Sequence, residues 1–359
     1  MAKVATVLGL MSGTSMDGID MALLRTDGDL FADRLDAGFV PYPEDVRAQL
    51  RAVLGKSADN AAGQVAAAAK IVTELHIKAC LDFLAKTPEK PDLVGFHGQT
   101  IFHDPANART WQLGDGQALA DALGIDVVYD FRKNDMAAGG QGAPLLPLYH
   151  RALIQKAGIQ GPACILNLGG VGNITWVDGD NVIACDTGPA NALIDDWMLA
   201  QTGLPMDTDG AKAFAGTPDM ARVNEWLAHP FFKQPAPKSL DRNAFAHCKV
   251  DGMSLADGAA TLAAFTADSV LAALKLMPAM PQTLAVAGGG RHNRAIMARL
   301  NAALRTVAAD TLGWPGDTME AEGFAYLAQR SVLGLPLSLP TTTGCKLPTT
   351  GGKLAKTSR

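Results

Sequence analysis

The sequence predicts an α/β protein built from two related lobes, and three observations carry this prediction. The chain has 359 residues, whereas a single hydrophobic core stops growing near roughly 250–300 residues. Short apolar runs alternate with segments of helical periodicity, which is typical of α/β architecture. A strand, a glycine-rich turn and a return strand occur near the start and recur roughly 155 residues later. This recurrence favours a duplicated fold.

The first of these hairpins is predicted from apolar runs at residues 4–10 and 19–24, which flank a polar turn. Glycines let the backbone approach a ligand, and consecutive turn amides can form an anion-binding nest. We interpret the turn as a phosphate-binding loop, with an ordinary hairpin turn as the alternative. The turn carries hydroxyl donors at Ser12, Thr14 and Ser15. Asp17 and Asp20 are candidate carboxylates for a metal ion or a reacting group.

The remaining elements follow from hydrophobic periodicity and from turn residues. Helices are expected at residues 44–53, 61–84, 148–157, 255–276 and 319–333, and helical segments dominate residues 189–230. Strands are expected at residues 92–96, 125–129, 163–168, 173–177, 182–185 and 284–287. The first of these strands leads into a polar turn at residues 97–100, and the last opens into the glycine-rich turn at residues 288–293.

Asp186 is predicted to lie where a strand ends and a helix begins, with Pro189 in the first helical turn. A carboxylate at a strand end suits a general base or a metal ligand, and a helix N-cap is the alternative. Two further polar residues are candidate binding residues. His97 follows a buried strand, and Arg132 carries a planar guanidinium whose donors suit a carboxylate. A structural salt bridge is the alternative for Arg132.

Composition narrows the classes of function. Charged residues make up 19% of the chain, hydrophobic residues 48%, and the net charge is −5. Without a basic cluster, nucleic acid and anionic membranes are not expected as partners. The N-terminal apolar run is too short to cross a bilayer, and the five cysteines show no metal-ligand spacing. We therefore expect a cytoplasmic protein with reduced thiols.

Seven segments together resemble, in chain order, the motifs of the anhydro-N-acetylmuramic acid kinases, which belong to the sugar-kinase/Hsp70/actin superfamily. They are GLMSGTSMDGID at residues 9–20, HGQT at 97–100, WQLGDG at 111–116, DFRKND at 130–135 with AGGQGAP at 138–144, DTGPAN at 186–191, GGGRHN at 288–293, and the helix around 320–328. The resemblance covers essentially the whole chain.

The resemblance implies two lobes of the ribonuclease H-like type, with the active site in the cleft between them. Residues 1–145 would form the N-terminal lobe and residues 146–335 the C-terminal lobe. Independently of the resemblance, residues 336–359 are rich in Thr, Pro, Gly and Lys and are expected to form a loosely structured tail. The implied reaction uses ATP and water to open the 1,6-anhydro bond of 1,6-anhydro-N-acetylmuramic acid and to phosphorylate O6. N-acetylmuramic acid 6-phosphate and ADP would be the products, in peptidoglycan recycling.

The same resemblance carries roles to individual residues. Asp186 would be the catalytic base, and Arg132 would hold the lactyl carboxylate of the sugar, oriented by Asp130 or Asp135. Residues implied to bind ATP are Gly13, Thr14, Ser15, Met16, Asp17, Gly18, Ile19, Asp20, Asn167, Gly169, Gly170, Gly288, Gly289, Gly290 and Asn293. Residues implied to bind the sugar are His97, Gln99, Gln112, Asp130, Arg132 and Glu320. Mg²⁺ is expected as a cofactor, with Asp17, Asp20 or Asp186 as open choices for its ligands.

The chain also departs from the family pattern. Met11 and Asn167 stand where many superfamily kinases carry an aspartate, Ala190 replaces a glycine, and residues 237–242 (PKSLDR) match their motif in part. Two other functions stay open: a kinase for another 1,6-anhydro sugar such as levoglucosan, and a non-catalytic ATP-switch protein. The expected partners are the sugar and ATP, with a homodimer left open.

Overall fold

A computed structural model describes residues 3–13 and 15–358 of the chain, except for the side chains of residues 58–60. The chain divides into two compact units. The first unit comprises Met1–Lys156 and Thr318–Arg359, and the second comprises Ala157–Asp317. No helix in the described ranges is both long and apolar enough to span a membrane.

Strands and helices alternate along the described residues, as the periodicity predicts. The strands are β1 Ala5–Ser12, β2 Gly18–Thr26, β3 Ala32–Pro41, β4 Leu93–Asp104, β5 Arg109–Leu113, β6 Val127–Tyr129, β7 Ala163–Leu168, β8 Val171–Asp178, β9 Asn181–Pro189, β10 Thr283–Ala287, β11 Thr306–Ala308 and β12 Lys353–Ala355. The helices are α1 Glu44–Val53, α2 Ala58–Leu84, α3 Gly116–Leu123, α4 Lys133–Ala137, α5 Pro147–Lys156, α6 Asn191–Thr202, α7 Ala211–Ala215, α8 Met220–Leu227, α9 Leu255–Leu274, α10 Arg294–Ala303, α11 Met319–Val332 and α12 Pro340–Thr343.

The two sheets share a strand order, which confirms the predicted duplication. In the first unit the order is β12-β6-β4-β1-β2-β3, and β5 pairs with β4. In the second unit the order is β11-β10-β7-β8-β9. Each sheet is built from an antiparallel three-strand meander, β1-β2-β3 or β7-β8-β9, whose first strand pairs in parallel with β4 or β10. A further parallel strand, β6 or β11, extends each sheet.

Helix α11 lies against the first sheet because two glycines leave room for its backbone. Gly9 on β1 and Gly95 on β4 are register partners. A Cβ atom added at Gly9 would stand 1.9 Å from the carbonyl oxygen of Ala321, and one at Gly95 would stand 2.3 Å from that of Phe324. Since real Cβ contacts of this length do not occur, both positions require glycine at this helix–sheet interface.

The observed units differ from the predicted lobes. Helix α5 and helix α11 belong to the first unit, not to a lobe spanning residues 146–335. The residues expected to form a loose tail contain β12, which pairs with the edge strand β6. The prediction was wrong here because contacts between residues far apart in the chain decide membership of a unit, and local patterns do not report such contacts.

Individual elements were also misjudged. Strands β3 and β5 were not predicted. Residues 97–100, expected to be a turn, lie within β4 and pair partly with β5, with Gly98 at a φ of +75°. Strand β9 runs through the expected helix start, so Pro189 ends a strand and Ala190 is the N-cap of α6. Pairing with β8 outweighs the helix-start preference of this proline.

Candidate active site

The tip of the β1–β2 hairpin is a tight turn closed by its own polar groups. The backbone N–H of Met16 donates to the carbonyl of Gly13 over 3.0 Å, and Met16 has a φ of +54°. Oδ1 of Asp17 accepts from the hydroxyl of Ser15 at 2.6 Å and from the N–H of Gly18 at 3.1 Å. Asp17 therefore shapes the turn. Thr14 lies outside the described residues.

Three of the residues expected to hold ATP fill other roles in this hairpin. The side chains of Met16 and Ile19 are buried in the hydrophobic core, so their side chains do not line an open site. A Cβ at Gly18 would stand 2.4 Å from the carbonyl oxygen of Val40 on β3. Phosphate contacts in this turn would accordingly come from main-chain N–H groups and from exposed side chains.

Gln99 supports the hairpin tip from β4. Its side chain is fully buried and accepts a hydrogen bond from the Ser12 hydroxyl over 2.5 Å. Its amide nitrogen donates to the carbonyl of Gly13 at 2.9 Å and to that of Thr100 at 3.2 Å. The sequence predicted a sugar contact for Gln99. In the structure this amide lies against the tip of the β1–β2 hairpin and fixes the position of that turn.

His97 and Arg132 form the polar centre of the first unit. The Nδ1–H of His97 donates to the carbonyl of Gly98 at 2.7 Å, so Nε2 is the acceptor. Arg132 donates to this Nε2 from Nε at 3.1 Å and from Nη2 at 2.9 Å, and its Nη1 donates to the carbonyl of Gly142 at 2.6 Å. Burial and the guanidinium together hold the pKa of His97 well below its ordinary value. The imidazole is therefore neutral, in a fixed tautomer.

Helix α11 brings a carboxylate towards this pair. Burial lowers the pKa of Arg132 to about 10, while the charges of Glu320 and Asp135 oppose that decrease. Glu320 stands in the first turn of α11, so the two glycines beneath this helix control where its carboxylate lies. His97, Arg132 and Glu320, all predicted to face the sugar, are thus brought together in one unit.

A cavity of about 210 Å³ opens beside His97. Its lining combines aromatic faces with polar groups, and includes His97, Trp111, Gln112, Tyr129, Asp130 and Lys133. Such a mixture of faces and hydrogen-bonding groups suits a small polar ligand. Two of the predicted sugar residues, Gln112 and Asp130, contribute to this lining.

Within the lining, both of these residues already have protein partners. The Gln112 amide donates to the hydroxyl of Thr110 at 2.7 Å. Asp130, at a φ of +59°, accepts from Lys133 at 2.9 Å, and Lys353 of β12 lies 3.5 Å from the same oxygen. A strained backbone of this kind persists when the surroundings hold it, and such strain is common at functional sites.

Asp135, a second candidate for orienting Arg132, serves mainly to hold the C-terminal segment. Its carboxylate is buried and accepts from the N–H of Gly142 at 2.6 Å and from the hydroxyl of Thr343 at 2.6 Å, as well as from the Ser338 hydroxyl. No sequence pattern indicated this role, because both hydroxyl donors come from residues about 200 positions further along the chain.

In the second unit, the β7–β8 turn is fixed by Asn191 at the start of α6. The Asn191 side chain donates to the carbonyl of Leu168 at 2.9 Å, and its backbone N–H donates to that of Gly169 at 2.9 Å. The N–H of Ala190 donates to the carbonyl of Gly170 at 3.0 Å. Backbone approach at these glycines therefore ties the predicted phosphate turn to the segment that carries Asp186.

The 288–290 turn packs against the same hairpin. A Cβ at Gly288 would stand 2.3 Å from Oδ1 of Asn167, and one at Gly290 would stand 2.5 Å from Cβ of Leu168. A Cβ at Gly289 would stand 3.6 Å from Nδ2 of Asn191, which is ordinary contact. The structure thus gathers Asn167, Gly169, Gly170 and the predicted adenosine turn within one unit.

Two residues anchor the turn at residues 288–290. Arg291 is buried, donates to the carbonyl of Gly288 at 3.0 Å and pairs with Asp310 at 2.7 Å and Asp317 at 2.8 Å. Asn293, expected to contact ATP, is the N-cap of α10. Its Oδ1 accepts from two backbone N–H groups at 3.1 and 3.2 Å, so this side chain has a structural task that the sequence did not reveal.

Asp186 lies in β9, and residues 237–242 pack alongside it. Its backbone N–H donates to the carbonyl of Lys238 at 2.9 Å, and its Oδ2 accepts from the N–H of Leu240 at 2.7 Å. Burial raises the pKa of Asp186 to about 7, while the Leu240 hydrogen bond and the charge of Lys238 oppose the increase. A carboxylate with a pKa near neutrality can accept and release a proton at the pH of a cell.

The sequence did not identify Lys238 and Leu240 as contacts of Asp186. The partial match of residues 237–242 to a family motif was the one signal that could have found them. The described residues contain no group of three or more His, Cys, Asp or Glu side chains that could hold a metal ion.

Comparisons with known proteins agree on one family. The profile of the anhydro-N-acetylmuramic acid kinase family matches residues 5–356. A protein of Rhodopseudomonas palustris named anhydro-N-acetylmuramic acid kinase is 50% identical, with 98% of this chain and 99% of that protein covered. One of the same name from Rhizorhabdus wittichii is 51% identical, with 98% and 99% covered.

Among solved structures, the chain is similar to a ROK family glucokinase from Streptomyces griseus in complex with glucose and AMPPNP. The TM-score is 0.43 at 13% identity, with 90% of this chain and 99% of that chain covered. The family profile covers nearly the whole chain, and about half of the residues are identical to those of the two relatives over nearly their whole length. The chain belongs to the anhydro-N-acetylmuramic acid kinase family.

Proposed function

We propose that this chain uses ATP and water to convert 1,6-anhydro-N-acetylmuramic acid into N-acetylmuramic acid 6-phosphate, in the recycling of peptidoglycan. The observation that carries the proposal is the Asp186 carboxylate, whose pKa is raised by burial to about 7. It stands in the same unit as the glycine turns at residues 169–170 and 288–290. Together with the family assignment, this arrangement supports a general base next to a nucleotide site.

In this reaction Asp186 takes a proton from the water that attacks the anomeric carbon. The bond from that carbon to O6 breaks, and O6 then attacks the γ-phosphorus of ATP, which releases ADP. The hydrogen bond from the Leu240 N–H at 2.7 Å orients the carboxylate, and its other oxygen would take the proton. Phosphoryl transfer depends more on positioning and charge neutralisation than on covalent assistance.

On the sugar side, we propose that Arg132, His97 and Glu320 hold the substrate, next to the cavity that Gln112 and Asp130 line. Three of the five N–H groups of Arg132 are used by His97 Nε2 and by the Gly142 carbonyl. The guanidinium is therefore preorganised, and its remaining N–H groups can receive the lactyl carboxylate. Because these donors are already ordered, little free energy is lost on ordering them when the ligand binds.

On the nucleotide side, we propose that the turns of both units bind phosphates through main-chain N–H groups. Mg²⁺ fits the available donors, because this ion is usually bound by one or two carboxylates together with waters and phosphate oxygens. Asp17, Asp20 or Asp186 would hold it. When bound, the ion would neutralise charge on the phosphates.

The proposal includes the cytoplasm as the compartment, because all five cysteines are buried free thiols and such thiols are typical of reducing surroundings. It also includes a homodimer, which sedimentation of the full chain would test.

The test is ADP release by the purified chain with 1,6-anhydro-N-acetylmuramic acid, and with levoglucosan as a comparison substrate. We expect turnover of the muramic sugar, formation of its 6-phosphate by mass spectrometry, and a requirement for Mg²⁺. Asp186→Asn should keep ATP affinity within about twofold and lose at least roughly 10³-fold in kcat. Asp180→Asn, at the exposed β8–β9 turn, is the matched control. Near-normal kcat in Asp186→Asn would overturn the assigned base.

A further inference from the structure

We propose that Ser338 and Thr343 are positioning residues for Arg132, the residue proposed above to receive the carboxylate of the sugar. They act through the Asp135 carboxylate and through the loop at residues 138–142. The inference rests on the proposed function. It extends the sugar site to the C-terminal segment, residues 336–358, in which the sequence shows no motif.

The loop at residues 138–142 sets the orientation of the Arg132 guanidinium. Nε and Nη2 of Arg132 both donate to one acceptor, Nε2 of His97, at 3.1 and 2.9 Å. One acceptor atom would leave the planar group free to pivot about it. The carbonyl of Gly142 accepts from Nη1 at 2.6 Å and supplies a second fixed point. The direction of the remaining N–H groups, which are those offered to the sugar, therefore depends on where this carbonyl lies.

The Asp135 carboxylate holds this loop in place. Its Oδ2 accepts from the Gly142 N–H at 2.6 Å, and a Cβ at Gly140 would stand 2.3 Å from the same oxygen, so the loop backbone lies directly on the carboxylate. Its Oδ1 accepts from the hydroxyl of Thr343 at 2.6 Å and from that of Ser338. Asp135 is 2% exposed. A buried carboxylate is costly unless donors replace its lost water, so the two hydroxyls stabilise it where it holds Gly142.

Main-chain hydrogen bonds join the same two segments. The N–H of Gln141 donates to the carbonyl of Thr343 at 2.8 Å, and the N–H of Lys346 donates to that of Ala138 at 3.1 Å. These bonds do not involve the side-chain hydroxyls. Removal of one hydroxyl therefore changes the donors of the carboxylate while the C-terminal segment stays attached to the loop.

The C-terminal segment presents both hydroxyls from a fixed position. The N–H of Leu337 donates to the carbonyl of Thr349 at 2.8 Å, and the N–H of Thr349 donates to that of Ser338 at 3.0 Å. Ser338 is 1% exposed and Thr343 is fully buried, so bulk water cannot take the place of a hydroxyl that is removed. The carboxylate would then lack a donor and would shift, and the Gly142 N–H and carbonyl would move with it.

The experiment measures kcat and the KM values for the anhydro sugar and for ATP, using the full chain with Mg²⁺. Thr343→Val and Ser338→Ala each remove one hydroxyl with little change of shape, and Thr343→Ser keeps the hydroxyl. Thr26→Val is the matched control. Thr26 is also fully buried in the first unit, and its hydroxyl donates to the carbonyl of Phe31 at 2.6 Å, in the β2–β3 connection.

We expect Thr343→Val and Ser338→Ala each to raise the KM for the sugar roughly three- to tenfold, because a hydrogen bond to a charged group is lost and the guanidinium is displaced. The carboxylate of the sugar takes no part in the bond changes, so kcat and the KM for ATP should stay within about twofold. Thr343→Ser should restore the wild-type KM. Thr26→Val should lose stability and keep the wild-type KM for the sugar.

A double-mutant cycle with Arg132→Lys separates positioning from general loosening. In that background Thr343→Val should change the KM for the sugar by less than about twofold, because the group that it positions is already gone. The full effect in both backgrounds, an unchanged KM in both single variants, or an equal rise of the KM for ATP would overturn the inference. If Thr343→Val fails to fold, Ser338→Ala decides. Absence of turnover by the wild-type chain would instead refute the proposed function.

Discussion

Replacing Gly95 by alanine tests how the structure positions helix α11. The added Cβ would lie 2.3 Å from the carbonyl oxygen of Phe324, whereas ordinary contact begins at 3.4 Å. The difference, 3.4 − 2.3, is about 1.1 Å, and the obstacle is helix backbone, which cannot rotate away as a side chain can. The helix must therefore retreat by about 1 Å and carry Glu320 with it.

This retreat has two expected effects. Overpacking of a close interface destabilises a protein by about 1–3 kcal/mol, so the urea midpoint of unfolding should fall. A displacement of about 1 Å near a reacting site can cost roughly 10²-fold in rate, so kcat/KM for the anhydro sugar should fall by up to that factor. Gly9→Ala should be more severe, since its Cβ would stand 1.9 Å from the carbonyl oxygen of Ala321.

The assays are urea unfolding followed by circular dichroism and steady-state ADP release. Gly63→Ala is the matched control, because Gly63 lies within α2 and a Cβ there meets open space. It should raise stability by about 0.5–1 kcal/mol through helix propensity and leave kcat/KM unchanged. Wild-type stability and activity in Gly95→Ala, or equal losses in both variants, would refute the reasoning.

The site supports three further predictions. The wild-type kcat should fall about tenfold per pH unit below roughly pH 7, because the base acts as a carboxylate and burial raises the pKa of Asp186 to about 7; a limb below pH 5 would contradict this. Arg132→Lys should lower kcat/KM roughly tenfold or more, since lysine cannot donate to His97 Nε2 from two nitrogens as the guanidinium does. Unchanged kinetics would contradict this prediction. Asp135→Ala should destabilise the first unit by about 3 kcal/mol or more and speed proteolysis after Ser338; wild-type resistance would contradict it.

The two hairpins and the long helices were predictable because their signals are local. Apolar runs around glycine turns indicated β1 with β2 and β7 with β8, and the helical periodicity of residues 255–276 corresponds to α9. Strand β3 escaped prediction since it alternates weakly and lies at the sheet edge. Strand β12 escaped because it pairs with β6, more than 220 residues earlier in the chain.

The site shows the same division between local and distant information. Family motifs indicated His97, Arg132 and Asp186 as candidate site residues. Nothing in those motifs indicated that Gln99 supports the hairpin tip or that Asn293 caps a helix. These roles depend on hydrogen bonds whose partners are chosen by packing, and an amide has the same donors and acceptors whether it binds a ligand or a backbone.

The sequence by itself determined the α/β class, the duplicated hairpins, the family and the residue types available for catalysis. Periodicity and short motifs carry those features, and both can be recognised without knowledge of the fold. The tertiary structure decided that α11 and the C-terminal strand complete the first unit. It also decided that Lys238 and Leu240 flank Asp186. The pKa of a carboxylate depends on burial and on neighbouring charges, and folding alone brings these neighbours together.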